Sequence, residues 1–491
     1  MTVRGKVTGG AVWLGLGQIA GQGMSFARSV IVARLLTTTD LGIAATFGLV
    51  IMFIDNVSNL GAERLLVQAS DGDERRFQAT AHALQAVRAA VCALIIVAAA
   101  GPVAALFGTP EAAWAYRWVA LVPLLRGLAH LDQQRVNRDL RFKAQIWSDL
   151  GGQVFGLLAA WPLARYVGNY AAVLWILVGQ TVVNAAVSHL LAERPYRWAW
   201  DMAYVRRFAA FGWPLTLNGA MLFAILQGDQ TAIGVANHHY TKAQLGVYAT
   251  AFGLALIPSV MVAKIATSLA LPVLAAVKDD AAAFDRRYAG FCQAVALIAL
   301  WVALPLIIAG GQAMTLIYGK EFAAAGGFIG LLAAMQAGRL CRIMPTLGAM
   351  AKAETKNMMI SNAVRMSALV GVVIAASMGE PLHVLAMMGV IGEVLALLVS
   401  TGRLRRRQGV SVGACLRPAA YVGVCAAMAG GVRSALLGEP RLVAIAAGVA
   451  ASGVATAGML LVFPQVREEA ARVLGAARRK LRGGALAGGA A

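Results

Sequence analysis

The stretch LALIPSVMVAKIATSLALPVLAA, Leu254 to Ala276, carries a single charge, Lys264. A helix rises 1.5 Å per residue, so about 20 apolar residues cross the ~30 Å hydrocarbon layer of a bilayer. This stretch is long enough to do so, and Val91–Leu106 and Leu442–Phe463 meet or approach that length. Backbone facing lipid has no water to bond to, so each such run must close its hydrogen bonds internally as a helix. The whole chain agrees with these segments. Of its 491 residues, 59% are hydrophobic and 13% charged, against about 25% charged in soluble domains. A soluble enzyme is therefore excluded.

Pro162, Pro214, Pro258, Pro272, Pro305 and Pro345 fall in or near apolar runs, where membrane helices tolerate them. The 53 glycines allow close helix approach in lipid, as at Gly17-x-x-x-Gly21. Gly15-x-Gly17-x-x-Ala20 mimics a dinucleotide fingerprint, but no strand precedes it. The cysteines Cys92, Cys292, Cys341, Cys415 and Cys425 have no C-x-x-C spacing and read as small buried hydrophobes, not as a metal site or disulfide framework. The apolar run after Arg4 and Lys6 is too long for a cleavable signal and reads as a first span.

Fourteen spans follow: 10–33, 41–67, 80–106, 112–131, 146–166, 170–191, 208–235, 244–275, 288–310, 322–349, 360–378, 382–400, 414–437 and 441–463. Alternate connections are basic: the N-terminus, Arg75–Arg76, Arg135–Lys143, Arg194–Arg207, Lys278–Arg287, Lys352–Lys356 and Arg403–Arg407. Cationic loops stay in the cytoplasm, so both termini are expected there. The net charge of +20 is then a topology signal, and nucleic-acid binding is not expected. The tail, 465–491, places Val466, Ala470, Val473, Leu474, Ala477 and Leu481 on one helical face, with arginines elsewhere, a pattern suited to the cytoplasmic leaflet.

The chain also repeats itself. Leu41-Gly-Ile-Ala-Ala-Thr-Phe-Gly-Leu49 recurs, with one insertion, as Leu245-Gly-Val-Tyr-Ala-Thr-Ala-Phe-Gly-Leu254. Leu106-Phe-Gly-Thr-Pro-Glu111 is echoed by Ile317-Tyr-Gly-Lys-Glu321. Both offsets correspond to six spans, an even number, so the halves share one orientation about an axis along the membrane normal. The expected organisation is an all-α polytopic membrane protein of two pseudo-symmetric six-helix bundles, 1–200 and 201–407, with two added helices at 408–464.

Ala33-Arg-Leu-Leu-Thr-Thr-Thr-Asp-Leu-Gly42, followed by Leu60-Gly-Ala-Glu-Arg-Leu-Leu-Val-Gln68, resembles the opening of bacterial polysaccharide flippases of the multidrug/oligosaccharidyl-lipid/polysaccharide exporter superfamily. Phe211-Gly-Trp-Pro-Leu215, Gln227-Gly-Asp-Gln230, Leu245-Gly-Val-Tyr248, Phe252-Gly-Leu-Ala-Leu-Ile-Pro258 and Leu271-Pro-Val-Leu274 extend the resemblance, which runs from about residue 10 to about residue 400. It implies movement of an undecaprenyl-diphosphate-linked oligosaccharide across the bacterial inner membrane for O-antigen, capsule or exopolysaccharide synthesis. Partners would be that lipid, membrane lipids, and a polysaccharide polymerase with other export components. The chain departs from the family at Gln230, where an Arg often follows the aspartate, which weakens a fixed ion pair at Asp229.

A diphosphate crossing hydrocarbon needs cations around it, and charges within spans are costly enough to face a cavity or a partner. The candidates are Arg28, Arg88, Lys264, Arg339, Arg342 and Arg365. Gln336, Arg339 and Arg342 share one helical face, and guanidinium groups match phosphate oxygens in pairs. The alternative for Arg88, Arg342 and Arg365 is to snorkel to the interface. Arg117 and Arg126 lie near span ends and read as interfacial, as do His130 and His189. Asp55, Asp229 and Glu393 are the acids within spans, and each either binds a coupling ion or neutralises a neighbouring Arg. His238 and His239 read as a solvated external turn rather than a metal site. No Walker motif is present and no cofactor is expected. The rival functions are a peptidoglycan-precursor flippase, a multidrug exporter, and a membrane-embedded polymerase or ligase. Drug cations would favour acids over the observed arginines, and an enzyme would be expected to carry a sizeable external loop, which is lacking.

Overall fold

The computed structural model describes residues 3–436 and 438–468, so the proposed lipid-facing surface of the tail lies largely outside the described residues. Those residues are helical, with no strand among them. The helices are α1 (Val3–Leu35), α2 (Thr38–Val57), α3 (Ala62–Gln68), α4 (Arg75–Leu106), α5 (Ala113–Val119), α6 (Leu121–Gly127), α7 (Asp132–Asn137), α8 (Lys143–Val167) and α9 (Ala171–Leu190). Next come α10 (Met202–Val235), α11 (Lys242–Ala275), α12 (Ala281–Tyr318), α13 (Ile329–Ala351), α14 (Lys356–Ser377), α15 (Leu382–Gln408), α16 (Val412–Ala435) and α17 (Arg441–Val462).

Every expected span has a counterpart, though several are broken. Residues 41–67 divide into α2 and α3 at Gly61, which takes a left-handed φ of 66°. Residues 112–131 divide into the two short helices α5 and α6. Among the described residues, ten helices are long and apolar enough to cross a membrane, and an eleventh span combines the 3₁₀ segment Lys320–Gly327 with α13 across a 60° bend. The helices α1 and α8 fall short for a chemical reason: α1 carries Gln18, Gln22, Ser25 and Arg28, and α8 carries Gln145, Asp149 and Gln153. The six interior prolines named above lie within helices α8, α10, α11, α12 and α13.

The helices gather into two compact units. Among the described residues, one comprises 3–250, Ile317–Glu321 and Val373–Gly379; the other comprises Ala251–Leu316, Phe322–Val372 and 380–468 without 437. In the first, Gly152, Gly156, Ala160 and Ala164 form a buried i, i+4 row on α8. Small residues at that spacing let neighbouring helices approach closely. Its core includes Phe47 and Tyr116, whose rings meet edge to face at 5.0 Å, and the Tyr116 hydroxyl lies 2.5 Å from Thr46 Oγ1. Val91, Leu94 and Ile95 on α4 are exposed, as a lipid-facing surface requires. The core of the second unit is also built on small residues, with Ala270, Ala299, Ala303, Ala333 and Ala337 all buried. The five cysteines are free thiols, four of them buried.

The repeated motifs meet within the first unit. A Cβ on Gly42 would lie 1.8 Å from the Lys242 carbonyl oxygen, and one on Gly246 would lie 2.1 Å from that of Thr38. The equivalent glycines of the two repeats thus let the starts of α2 and α11 touch backbone to backbone. A second exchange has the same logic. Arg34 Nε, at the end of α1, donates to the Ile317 carbonyl at 2.8 Å. Asn237 Nδ2, following α10, donates to the Leu106 carbonyl at 2.9 Å. Leu106 and Ile317 are themselves equivalent in the repeat.

Outside the spans, the loop around α7 is tied down by Asp132. Its carboxylate accepts from Arg135 Nε at 2.7 Å, Gln78 Nε2 at 3.1 Å and the Glu193 N–H at 2.8 Å. Burial by itself would push this carboxyl up, but those hydrogen bonds outweigh it and hold the group at about 2. Arg135 also bonds Glu193 at 2.8 Å, and with Arg141 it lowers the Glu193 carboxyl.

Candidate functional site

Each unit contains a cavity, and the two differ in chemistry; apolar side chains, among them Val260, Leu340, Ile343 and Met358, form part of the lining in the second. In the second unit, Ser259, Lys264, Thr267 and Ser268 of α11, Arg339, Arg342 and Thr346 of α13, and Asn362 of α14 line about 500 Å³. Arg339, Arg342 and Thr346 follow an i, i+3, i+7 spacing that puts them on one face of α13. The lining contains three cations and no carboxylate.

Behind this cavity the buried Glu393 of α15 accepts from Arg342 Nε at 2.6 Å and from Arg365 Nε at 3.0 Å. Arg342 is held further by Ser361 Oγ and Asn362 Oδ1, each at 3.2 Å. One carboxylate therefore serves two guanidinium groups, and the cluster remains positive. Arg339 makes no hydrogen bond or ion pair among the described residues, which leaves its fork open to a ligand.

In the first unit, α1, α2, α3, α4, α6, α7, α8 and α9 line about 580 Å³. The lining is dominated by amides: Gln18, Gln22, Gln85, Gln133, Gln134, Gln145, Gln153 and Gln180, with Asn59 and Asn184. Its charged members are Asp55, Glu63, Asp149, Arg88 and Arg126. Asp55 and Arg126 form an ion pair. Arg88 Nη1 donates to the Ser58 carbonyl at 3.3 Å and to its Oγ at 3.0 Å.

The candidates from sequence accordingly divide. Lys264, Arg339 and Arg342 come together in the second unit, with Arg365 joined to them through Glu393. Arg88 and Asp55 line the cavity of the first unit. Arg28 lies beside that cavity, bonded to Gln180 and to Ser25 Oγ. Asp229 stands apart: it accepts from the Tyr248 hydroxyl at 2.7 Å and from the Gln230 N–H at 2.9 Å.

Sequence reasoning missed several lining residues. Arg126, expected at the interface, also lines the cavity, where it pairs with Asp55. Glu63, Asp149 and the glutamines were also overlooked. A signal was present in the i, i+4, i+8 spacing of Gln145, Asp149 and Gln153 on α8, and in the i, i+4, i+7 spacing of Gln18, Gln22 and Ser25 on α1. His130 and His189 pack with His82 and Tyr196 in a cluster of rings, with His82 stacked on Tyr196 at 4.3 Å. No group suited to a metal ion occurs among the described residues.

Residues 31–326 match a family described as polysaccharide biosynthesis protein. The succinoglycan biosynthesis transport protein ExoT of Rhizobium meliloti is 24% identical over 339 residues, which cover 68% of this chain and 67% of that protein. The teichuronic acid biosynthesis protein TuaB of Bacillus subtilis is 20% identical over 338 residues, covering 67% and 68%. Among solved structures, the lipid II flippase MurJ in an inward closed conformation superposes with a TM-score of 0.68 at 13% identity, covering 91% of this chain and 97% of that one. An inward-facing multidrug resistance MATE family transporter of the MOP superfamily gives 0.60 at 10% identity, covering 80% and 98%. At these identities the structural likeness is one of fold.

Proposed function

Because this chain belongs to the polysaccharide biosynthesis protein family, we propose that it flips undecaprenyl-diphosphate-linked oligosaccharide repeat units across the bacterial inner membrane for surface polysaccharide assembly. The observation that carries this reading is the carboxylate-free lining of the second unit, where Lys264, Arg339 and Arg342 converge. A diphosphate brings negative charge and several acceptor oxygens, and the guanidinium fork supplies paired donors to them. The isoprenoid tail stays in the bilayer, so only the headgroup needs a polar path. Alternating exposure of the cationic lining to the two sides would carry the headgroup across.

The same cations weigh against export of cationic drugs, which would be repelled. A peptidoglycan precursor carries the same diphosphate, and the fold shared with the lipid II flippase keeps that reading as the second one. A deletion strain separates them. It is expected to accumulate undecaprenyl-diphosphate oligosaccharide on the cytoplasmic leaflet and to lose surface polysaccharide while peptidoglycan synthesis continues. Normal surface polysaccharide in that strain would sink the proposal. Arg339→Ala and Arg342→Ala should each weaken binding of undecaprenyl diphosphate to the purified protein about tenfold, the effect of losing roughly 1.4 kcal/mol.

A further inference from the structure

We propose that the cavity of the first unit is a sugar-binding subsite that accepts uncharged or amine-bearing sugars and rejects acidic ones. This rests on the flippase reading and adds a substrate class to it. Its volume, about 580 Å³, falls within the ~300–1,000 Å³ of small-molecule sites. The lining is suited to hydroxyl-rich ligands. A sugar hydroxyl both donates and accepts, and a carboxamide is the uncharged side chain that offers both functions at separate atoms.

Three of these amides have unmet capacity. The Oε1 atoms of Gln85, Gln133 and Gln153 are buried without a hydrogen-bond partner, and Gln85 is only 8% exposed. Buried polar groups are normally satisfied, so three orphaned acceptors around one cavity indicate donors brought by a ligand.

The charges give the discrimination. Three carboxylates face two guanidinium groups in the lining. Arg126 is paired with Asp55, whereas Arg88 bonds Ser58, an uncharged group, and keeps its charge. Glu63 and Asp149 have no ion-pair partner among the described residues, and Asp149 accepts only from Asn184 Nδ2, at 3.2 Å. A uronate or other acidic substituent entering here would meet a lining whose carboxylates outnumber its guanidinium groups by one. An ammonium or a neutral acetamido sugar would be accommodated.

The test uses the full chain in nanodiscs and three probes. These are undecaprenyl diphosphate alone, the same lipid carrying a glucose–N-acetylglucosamine disaccharide, and the same disaccharide with glucuronate in place of glucose. The neutral probe is expected to bind at least about tenfold more tightly than the acidic one. Glu63→Gln combined with Asp149→Asn should raise the affinity of the acidic probe to within about threefold of the neutral one. Gln85→Ala should weaken the neutral probe about tenfold relative to the sugar-free lipid. Equal affinity of the wild-type chain for the two disaccharide probes overturns the selectivity. Binding of the sugar-free lipid with no gain from either disaccharide overturns the subsite but leaves the flippase reading standing. Failure to bind the sugar-free lipid at all overturns the flippase reading itself.

Discussion

Gly42 and Gly246 show how much can rest on one hydrogen atom. A methyl at either position would fall on a backbone carbonyl of the other repeat, and backbone cannot rotate away as a side chain can. Gly42→Ala and Gly246→Ala are each expected to cost about 1–3 kcal/mol. Gly48→Ala, on the same helix with nothing within 4 Å, should be neutral or slightly stabilising, since Ala is the better helix former by up to about 1 kcal/mol. Thermal unfolding of the purified protein separates the two classes, and equal melting of all three variants would refute the packing argument. Glu393 has a similar weight for an electrostatic reason. Its removal leaves Arg342 and Arg365 buried without their shared carboxylate, so Glu393→Ala should lose about 3–5 kcal/mol. Melting at the wild-type temperature would mean that the two arginines find another partner.

Among the elements, the α7 loop gives the clearest pH dependence. The Asp132 carboxyl sits at about 2 in the folded protein, below the ordinary aspartate value of about 3.9. A group depressed on folding contributes stability that is fully present above its unfolded value and lost as pH falls through the folded one. The contribution, on the order of 2 kcal/mol, should therefore hold above about pH 4 and fade toward pH 2. Asp132→Asn should reduce stability at pH 7 and have progressively less effect toward pH 2, as read from melting temperatures across that range. A constant penalty from pH 7 to pH 2 would assign the loss to packing instead. At this scale the sequence was read well where spans were continuous, as in α4, α11 and α17, because apolar length alone marks them. It was read less well where a span breaks. The division α2–α3 depends on the left-handed Gly61, which no hydropathy window registers. Arg126 lies near a span end in the sequence, and its place in the cavity lining beside Asp55 comes from the packing of separate helices, which sequence distance does not contain.

For the molecule as a whole, the distribution of basic loops leads to an orientation that can be measured. Cysteine labelling in intact cells should modify His239→Cys from outside and Arg406→Cys only after permeabilisation. The reverse pattern would invert the topology. Composition and apolar run length determined that this chain is an all-helical, multi-pass membrane protein, because crossing hydrocarbon is a demand that each segment meets by itself. The short echoes at Leu41 and Leu245 likewise marked a repeat. Tertiary structure decided what those facts serve. It brought Gly42 against the second repeat, placed Lys264 beside Arg339 and Arg342, set Glu393 between two arginines, and gathered glutamines from five helices around one cavity. Such groupings join residues tens to hundreds of positions apart. A charge in a span announces only that it needs company, and the fold alone determines whether that company is a carboxylate, an amide or an open cavity.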